Sequence, residues 1–517
     1  MAPSAKSSEA MPFIISTGTK ERDPESRKLI RSHVMKGRNR GRILRPKYKN
    51  TVELEVVVDT NENIQNLDSE GSWSLVVPEY PTIIPQRVGS DISLIRFADK
   101  IDKPTIGIII EFSTIAKKAL FPLESCINFG PKTRAWMEDL TVDAAYLHAM
   151  AFSAQGYFDL RCGRVPSNSS SLMDPHVVKT LRLLRESLEM VDRGDMTELP
   201  SRTAAIVLCL AFHAHMTGDF RAARHHIVGL RGIVDLAGGL VALKDNTKVM
   251  VEILRCDIGM ALHSGTQPLF FSDLAREPYW PYPDFSEYAS DPAWPLLGNV
   301  KDEPFLGLLD ADIATAWRVT KRFTMLVNYA AETQNKLPKE YLLDTMASVT
   351  YRLLHKSSLF PRSSLNEAMR LGILVFGSGI FLQWAGVQLP YTHFPAAYRD
   401  CLVNLNLKSL DLALSTFTPA VGDDGSSSTS SGVDSPPPLW SSQLLLWLLT
   451  IGHVSVFDST DSDTWLKPWL RVNLDLCGIR TWSAMRDVLS SFIWVGIVHD
   501  MPGKSLFNST MSTSSHS

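Results

Sequence analysis

The sequence predicts an all-α protein: an irregular multi-helix array with a disordered, basic N-terminal arm. Three observations point there. From about Trp136 onward, apolar residues return at steps of three or four between capping residues and glycine stops. Ahead of that body, Ser26–Lys49 holds ten Lys or Arg and no carboxylate, in a chain whose net charge is -3. Near the other end, "VGDDGSSSTSSGVDSPPP" (Val421–Pro438) is too poor in apolar side chains to fold and reads as a flexible loop or linker.

The elements follow in order. Residues 1–22 read as disordered. The arm, 23–50, opens with helix punctuation: Asp23 as cap, Pro24 at the first helical position, Glu25 against the dipole and Gly37 as stop. A short helix over Pro24–Lys36 is expected there. Residues 51–134 mix apolar runs such as "VELEVVV" and "TIGIIIEF" with prolines and carry no clear period. A helical body is expected over 135–420. Within it "TAAIVLCLAFHAHM" is an apolar helix, broken by "TGD". An amphipathic helix comes next, with Phe220, Ala223, Ile227, Leu230 and Val234 on one face, Asp219 as cap and Gly238–Gly239 as stop. "LNEAMRLGILVFGSGIFLQW" and "TWSAMRDVLSSFIWV" behave alike, and Trp482, Met485, Leu489 and Phe492 form a stripe whose simplest use is core packing. Residues 439–500 complete the same body after the linker, and 501–517 read as a disordered tail.

With 44% hydrophobic and 21% charged residues over 517 positions, the composition is that of a globular protein with ample core. "MAPSAKSSEAMP" has no apolar export segment, and "LLLWLLTIG" (Leu444–Gly452) is too short to span a bilayer, so no membrane partner is expected. Cysteines at 126, 162, 209, 256, 401 and 477 are never closer than 36 residues. Thiolates that share a zinc cluster must converge within a short stretch, so this spacing forms none and the cysteines read as reduced.

Catalytic patterns are equally sparse. There is no G-x-S-x-G elbow and no H-E-x-x-H. "PGKS" (Pro502–Ser505) imitates the end of a phosphate loop, but the first glycine of that motif would fall on Val498. "DSTDSDTW" (Asp458–Trp465) lacks the glycine and glutamate of a calcium loop and reads as a solvated turn. His213 and His215, two apart on a helix, face different ways and cannot share a metal, while His225 and His226 lie beyond the break. No cofactor, metal or catalytic residue is expected.

The arm is the strongest feature. Without its ten cations the remainder carries a net charge of roughly -13, so charge is segregated between an acidic body and a basic arm. The candidate contact residues are Arg27, Lys28, Arg31, Lys36, Arg38, Arg40, Arg42, Arg45, Lys47 and Lys49. Arginine forks suit phosphates, and a basic run also serves as a nuclear-import signal. A solvated tail without a partner is the bland alternative. Tyr48 is the arm's one aromatic, which argues against base stacking on single strands.

Four stretches in this order carry a resemblance: "DPESRKLIRSHVMKGRNRG"; "MTGDFRAARHHIVGLRGIVDLAGGL" with "EILRCDIGMALHSGTQPLF"; "NEAMRLGILVFGSGIF"; and "LLWLLTIG" with "TWLKPWL" and "TWSAMRDVLSSFIWV". The chain resembles fungal transcription factors with the fungal-specific regulatory domain, in the subgroup that lacks the six-cysteine zinc cluster. In the second stretch Asp257, Ala261, Pro268 and Phe270 fit the pattern of a helix running into a Pro-aromatic close. The resemblance implies an all-α regulatory body, a nuclear location and dimerisation. It carries no zinc or base-reading residues onto this chain. The expectation is a transcriptional regulator whose arm meets DNA phosphates or an import receptor and whose body binds protein partners, a second copy or a small effector. The alternatives are a helical scaffold or co-regulator that never touches DNA, and an enzyme with an unrecognised site.

Overall fold

The computed structural model describes residues 95–120, 123–128, 135–162, 164, 174–192, 200–243, 247–290, 302–382, 393–405, 440–458 and 461–512. By contacts the chain divides into Met1–Gln86 and Arg87–Ser517, and everything below belongs to the second unit. The whole arm, its expected helix Pro24–Lys36 and the Val421–Pro438 segment lie outside the described residues.

The described residues are overwhelmingly helical, with sixteen α-helices. The first five are α1 (Lys103–Leu120), α2 (Ala135–Val142), α3 (Ala144–Arg161), α4 (Pro175–Asp192) and α5 (Pro200–Met216). There follow α6 (Phe220–Leu236), α7 (Thr247–Ser264), the short α8 (Ser286–Ser290), α9 (Ala311–Thr333), α10 (Lys339–His355) and α11 (Leu365–Gly377). The last five are α12 (His393–Asn404), α13 (Trp440–Ser455), α14 (Lys467–Leu476), α15 (Trp482–Ser491) and α16 (Gly496–Ser512). The only sheet among the described residues is a parallel two-residue ladder, β1 (Ile127–Asn128) with β2 (Leu337–Pro338).

Two expected boundaries move. The helical body starts at Lys103 rather than 135, because the isoleucine-rich "TIGIIIEF" run is helical within α1 despite its β-branched residues. The tail expected as disordered from 501 is helical to Ser512, so "PGKS" lies within a helix, not a loop. Proline inside α16 discouraged a helical reading. What the sequence hides is packing: a Cβ on Gly503 would come 2.9 Å from the Trp482 ring and 3.1 Å from Trp494, so this glycine lets α16 close on two indoles.

The helices pack around one large apolar core and one small one. The small core joins Ile109 and Phe112 of α1, Leu140 of α2, and Leu147, Ala151, Ala154 and Tyr157 of α3. The large core runs from α3 to α16 and encloses Trp317, Trp447 and Trp494. Each of these indoles keeps its N–H satisfied: Trp317 donates to Glu303 Oε2 at 3.1 Å, Trp447 to the Ile493 carbonyl at 2.8 Å, and Trp494 to Asp500 Oδ1 at 2.8 Å. α11 crosses α13 closely at Gly372, where a Cβ would stand 2.8 Å from Leu448 Cδ2. Leu365–Leu382, α11 with its π turn, is long and apolar enough to cross a membrane, yet 89% of it is buried within the protein, as in a core helix.

Buried charges in this half are paired. Lys321 of α9 donates to the carbonyls of Ser490 at 3.2 Å, Ser491, and Phe492 at 2.6 Å, closing the C-terminal end of α15. Burial pulls its pKa down to about 8 against the attraction of Glu303. Arg370 forms a two-pronged pair with Glu367, both bonds 2.7 Å, and donates to the Leu353 carbonyl at 3.0 Å.

Candidate functional site

None of the ten arm cations, from Arg27 to Lys49, falls among the described residues, so the structure does not place them. It does place the central stretch that carries the resemblance, from α5 through α7 to Glu277. Asp219 caps α6 by accepting from the Ala222 N–H at 2.9 Å. Ala223, Ile227, Leu230 and Val234 are buried along the inner face. α6 stops where Gly238 and Gly239 take φ of 98° and 88°, a conformation glycine adopts without strain.

The turn after α7 is organised by Asp257, which is 1% exposed. Its Oδ1 accepts from the Leu269 N–H at 2.8 Å. Its Oδ2 accepts from the Phe270 N–H at 3.1 Å and from Tyr351 Oη of α10 at 3.0 Å. Pro268 has no N–H, and the next two donors both reach the carboxylate, so the Pro-aromatic close is a socket for one buried acid. Burial pushes Asp257 up to about 6, against the pull of its three donors and of Arg231.

Arg231 of α6 ties the same turn from outside. It donates to the Leu269 carbonyl at 3.1 Å, to Asp235 Oδ1 at 3.0 Å and to Glu277 Oε2 at 2.5 Å, and lies 4.8 Å from the centre of the Phe270 ring. Glu277 also accepts the Phe271 N–H at 2.8 Å, which holds Phe271 at φ 57°. Every carboxylate oxygen of Asp257 has a donor. The socket is therefore a structural lock, not a general base.

The histidines divide as their spacing requires. His213 meets Phe152 of α3 edge to face, with ring centres 5.0 Å apart, whereas His215 meets Phe220 and His263 at 5.3 Å each. His225 is exposed on α6. Among the described residues no three His, Cys, Asp or Glu side chains converge to hold a metal.

Two arrangements look catalytic and fail on geometry. Ser462 Oγ lies 2.6 Å from His453 Nδ1, the spacing of a nucleophile–base pair. Ser462 is 2% exposed, however, and bonds the Asp458 carbonyl at 2.8 Å, so substrate cannot reach it. Asp458 is thus part of a capped turn, as its sequence suggested.

The second is a chain from Asp99 through His148 (Oδ2–Nε2 3.3 Å) to His176 (Nδ1–Nδ1 2.7 Å), with Lys179 on Asp99 at 2.5 Å. Burial lowers His148 below the ordinary histidine value, and Lys179 holds Asp99 far below the ordinary carboxylate. No hydroxyl or thiol among the described residues bonds either imidazole, so the chain has a base and no nucleophile. It ties residues 95–102 to α3 and α4.

The sequence singled out neither Lys321 nor this chain, because their partners lie far off in sequence. The chain matches no protein-family model, no curated protein and no solved structure.

Proposed function

We propose that the protein is a nuclear transcriptional regulator of the fungal regulatory-domain type that acts without a zinc cluster of its own. The arm neutralises DNA phosphates or engages an import receptor, and the helical body binds partner proteins, a second copy of the chain or a small effector. The observation that carries this reading is the segregation of charge. Ten cations without a carboxylate occupy Ser26–Lys49, against roughly -13 for the rest. The resemblance of four ordered stretches supports it, and the second of them packs as one unit around Asp257. Phosphate contacts give affinity without sequence choice, so target selection falls to a partner.

The test is binding of the full chain to random-sequence duplex DNA over a salt series, beside a variant with Arg38, Arg40, Arg42 and Arg45 changed to Ala. The expected result is a steep fall of log K with log salt, at roughly 0.9 per phosphate contact, that flattens in the variant. Absence of binding at low salt removes DNA from the mechanism.

A second reading, a co-regulator whose arm serves import alone, is favoured by one feature of the body. α14 exposes Trp469, Val472 and Leu476, at 37%, 57% and 56%, in a single stripe suited to a partner protein. Under that reading the arm still directs a fused reporter to the nucleus while the purified chain ignores DNA.

A further inference from the structure

We infer that the outer face of α6 is a second DNA-contact surface, a pre-folded stripe of Arg221, Arg224 and His225 that binds backbone phosphates. The inference rests on the DNA-binding reading above and adds to it a place on the folded body.

α6 buries the Ala223–Ile227–Leu230–Val234 face, which turns Arg221, Arg224, His225 and Val228 outward, and all four are exposed. Positions three and four apart on a helix are neighbours, with Cβ atoms about 5–6 Å apart, so the three basic side chains form one continuous strip. They occupy the first two turns of α6, where the helix dipole adds positive potential.

The strip runs against the charge of the body. Elsewhere on α6, Arg231 is paired with Asp235 and Glu277. Among the described residues neither Arg221 nor Arg224 pairs with a carboxylate. Asp219 is the nearest acid in the helix, and its Oδ1 is engaged by the Ala222 N–H. Arg224 makes one long bond, 3.5 Å from Nη1 to Thr266 Oγ1, which leaves most of its fork free.

Guanidinium forks match phosphate oxygens, and a rigid helix holds them without the ordering cost that a long loose arm incurs. A duplex presents a charge about every 1.7 Å along its axis, so it can meet this strip and the arm together. A short acidic peptide would engage one or the other.

The experiment uses the full chain and a random-sequence duplex over a salt series. It compares the parent, Arg221→Ala/Arg224→Ala, the charge-keeping Arg221→Lys/Arg224→Lys, and the four-arginine arm variant. The double alanine variant is expected to lower the salt slope by about 1.8, two contacts at roughly 0.9 each, while the double lysine variant keeps it. Both should melt at the parent's temperature, since the changes are exposed. An unchanged slope in the alanine variant, with flattening in the arm variant, overturns the α6 surface and leaves the DNA reading intact. No duplex binding by the parent overturns both. Binding of labelled polyglutamate in place of duplex, lost in the alanine variant, overturns the inference in favour of an acidic protein partner.

Discussion

Asp257 and His213 stand on neighbouring helices, α7 and α5, and both are ionisable groups taken out of water, yet their surroundings are opposite. Asp257 has three donors on its two oxygens. His213 has a hydrogen-bond partner on neither ring nitrogen and rests on Phe152. The difference follows from what each group does when buried. A carboxylate at neutral pH keeps its charge unless donors are absent, so burial selects for donors. An imidazole sheds its proton near pH 6.5 and enters the core as a neutral ring, at the cost of one unmet N–H. The protein therefore stores acid sensitivity in its histidines and stability in its acid sockets.

The largest expected consequence is loss of stability in mild acid. Burial holds His215 and His453 at about 4 and His499 at about 3, and lowers His213. A histidine with a depressed folded pKa contributes stability that is fully present above its unfolded value, near 6.5, and is lost as pH falls toward the folded value. Asp257, raised to about 6, works the other way: its contribution is present below the unfolded carboxylate value and is lost as pH rises through 6. Three histidines at about 1.4 kcal/mol per pH unit outweigh one acid, so stability should fall by about 4–5 kcal/mol between pH 6.5 and 5. Urea unfolding at the two pH values measures it. A flat profile would show that these rings are not held neutral.

Next in size is the socket itself. Asp257→Ala strands the N–H groups of Leu269 and Phe270 and the hydroxyl of Tyr351. At about 1–3 kcal/mol for each buried donor, partly relieved by relaxation, the expected loss is about 3–5 kcal/mol. Hydrogen exchange should localise the change, with the amides of Leu269 and Phe270 exchanging faster than those of α13. Uniform exchange across both would mean the socket has no local role.

What the sequence reveals of this contrast is uneven, and for a physical reason. α6 was readable entire: cap, face and stop all lie within twenty residues, and Asp219, Val234 and Gly238–Gly239 take those roles. The stripe on α15 was readable too, with Met485, Leu489 and Phe492 buried. Asp257 drew notice through the spacing of its helix and the Pro-aromatic close, but Tyr351, 94 residues away, gave no local sign. Lys321 reaches carbonyls about 170 residues downstream, and no periodicity encodes such a bond. α1 and α16 were missed because isoleucines, Pro502 and Gly503 speak locally against helix, whereas packing decides for it.

The smallest effect is the one that separates the two regions most cleanly. His213→Phe replaces a ring with two unmet nitrogens by an apolar ring able to keep the edge-to-face contact with Phe152. Relief of the unmet polar atoms opposes the bulk of the larger ring, which meets Met216 and Gly156 on the α3 side. At pH 7.5 the net change should stay within about 1 kcal/mol of zero, far below the loss at Asp257. Its signature lies in the slope: with one fewer histidine to protonate on unfolding, the acid dependence should flatten by up to about 1.4 kcal/mol per pH unit. A loss above about 3 kcal/mol at pH 7.5 would mean that His213 is held by polar partners after all. The acid sensitivity would then rest with His215, His453 and His499 alone.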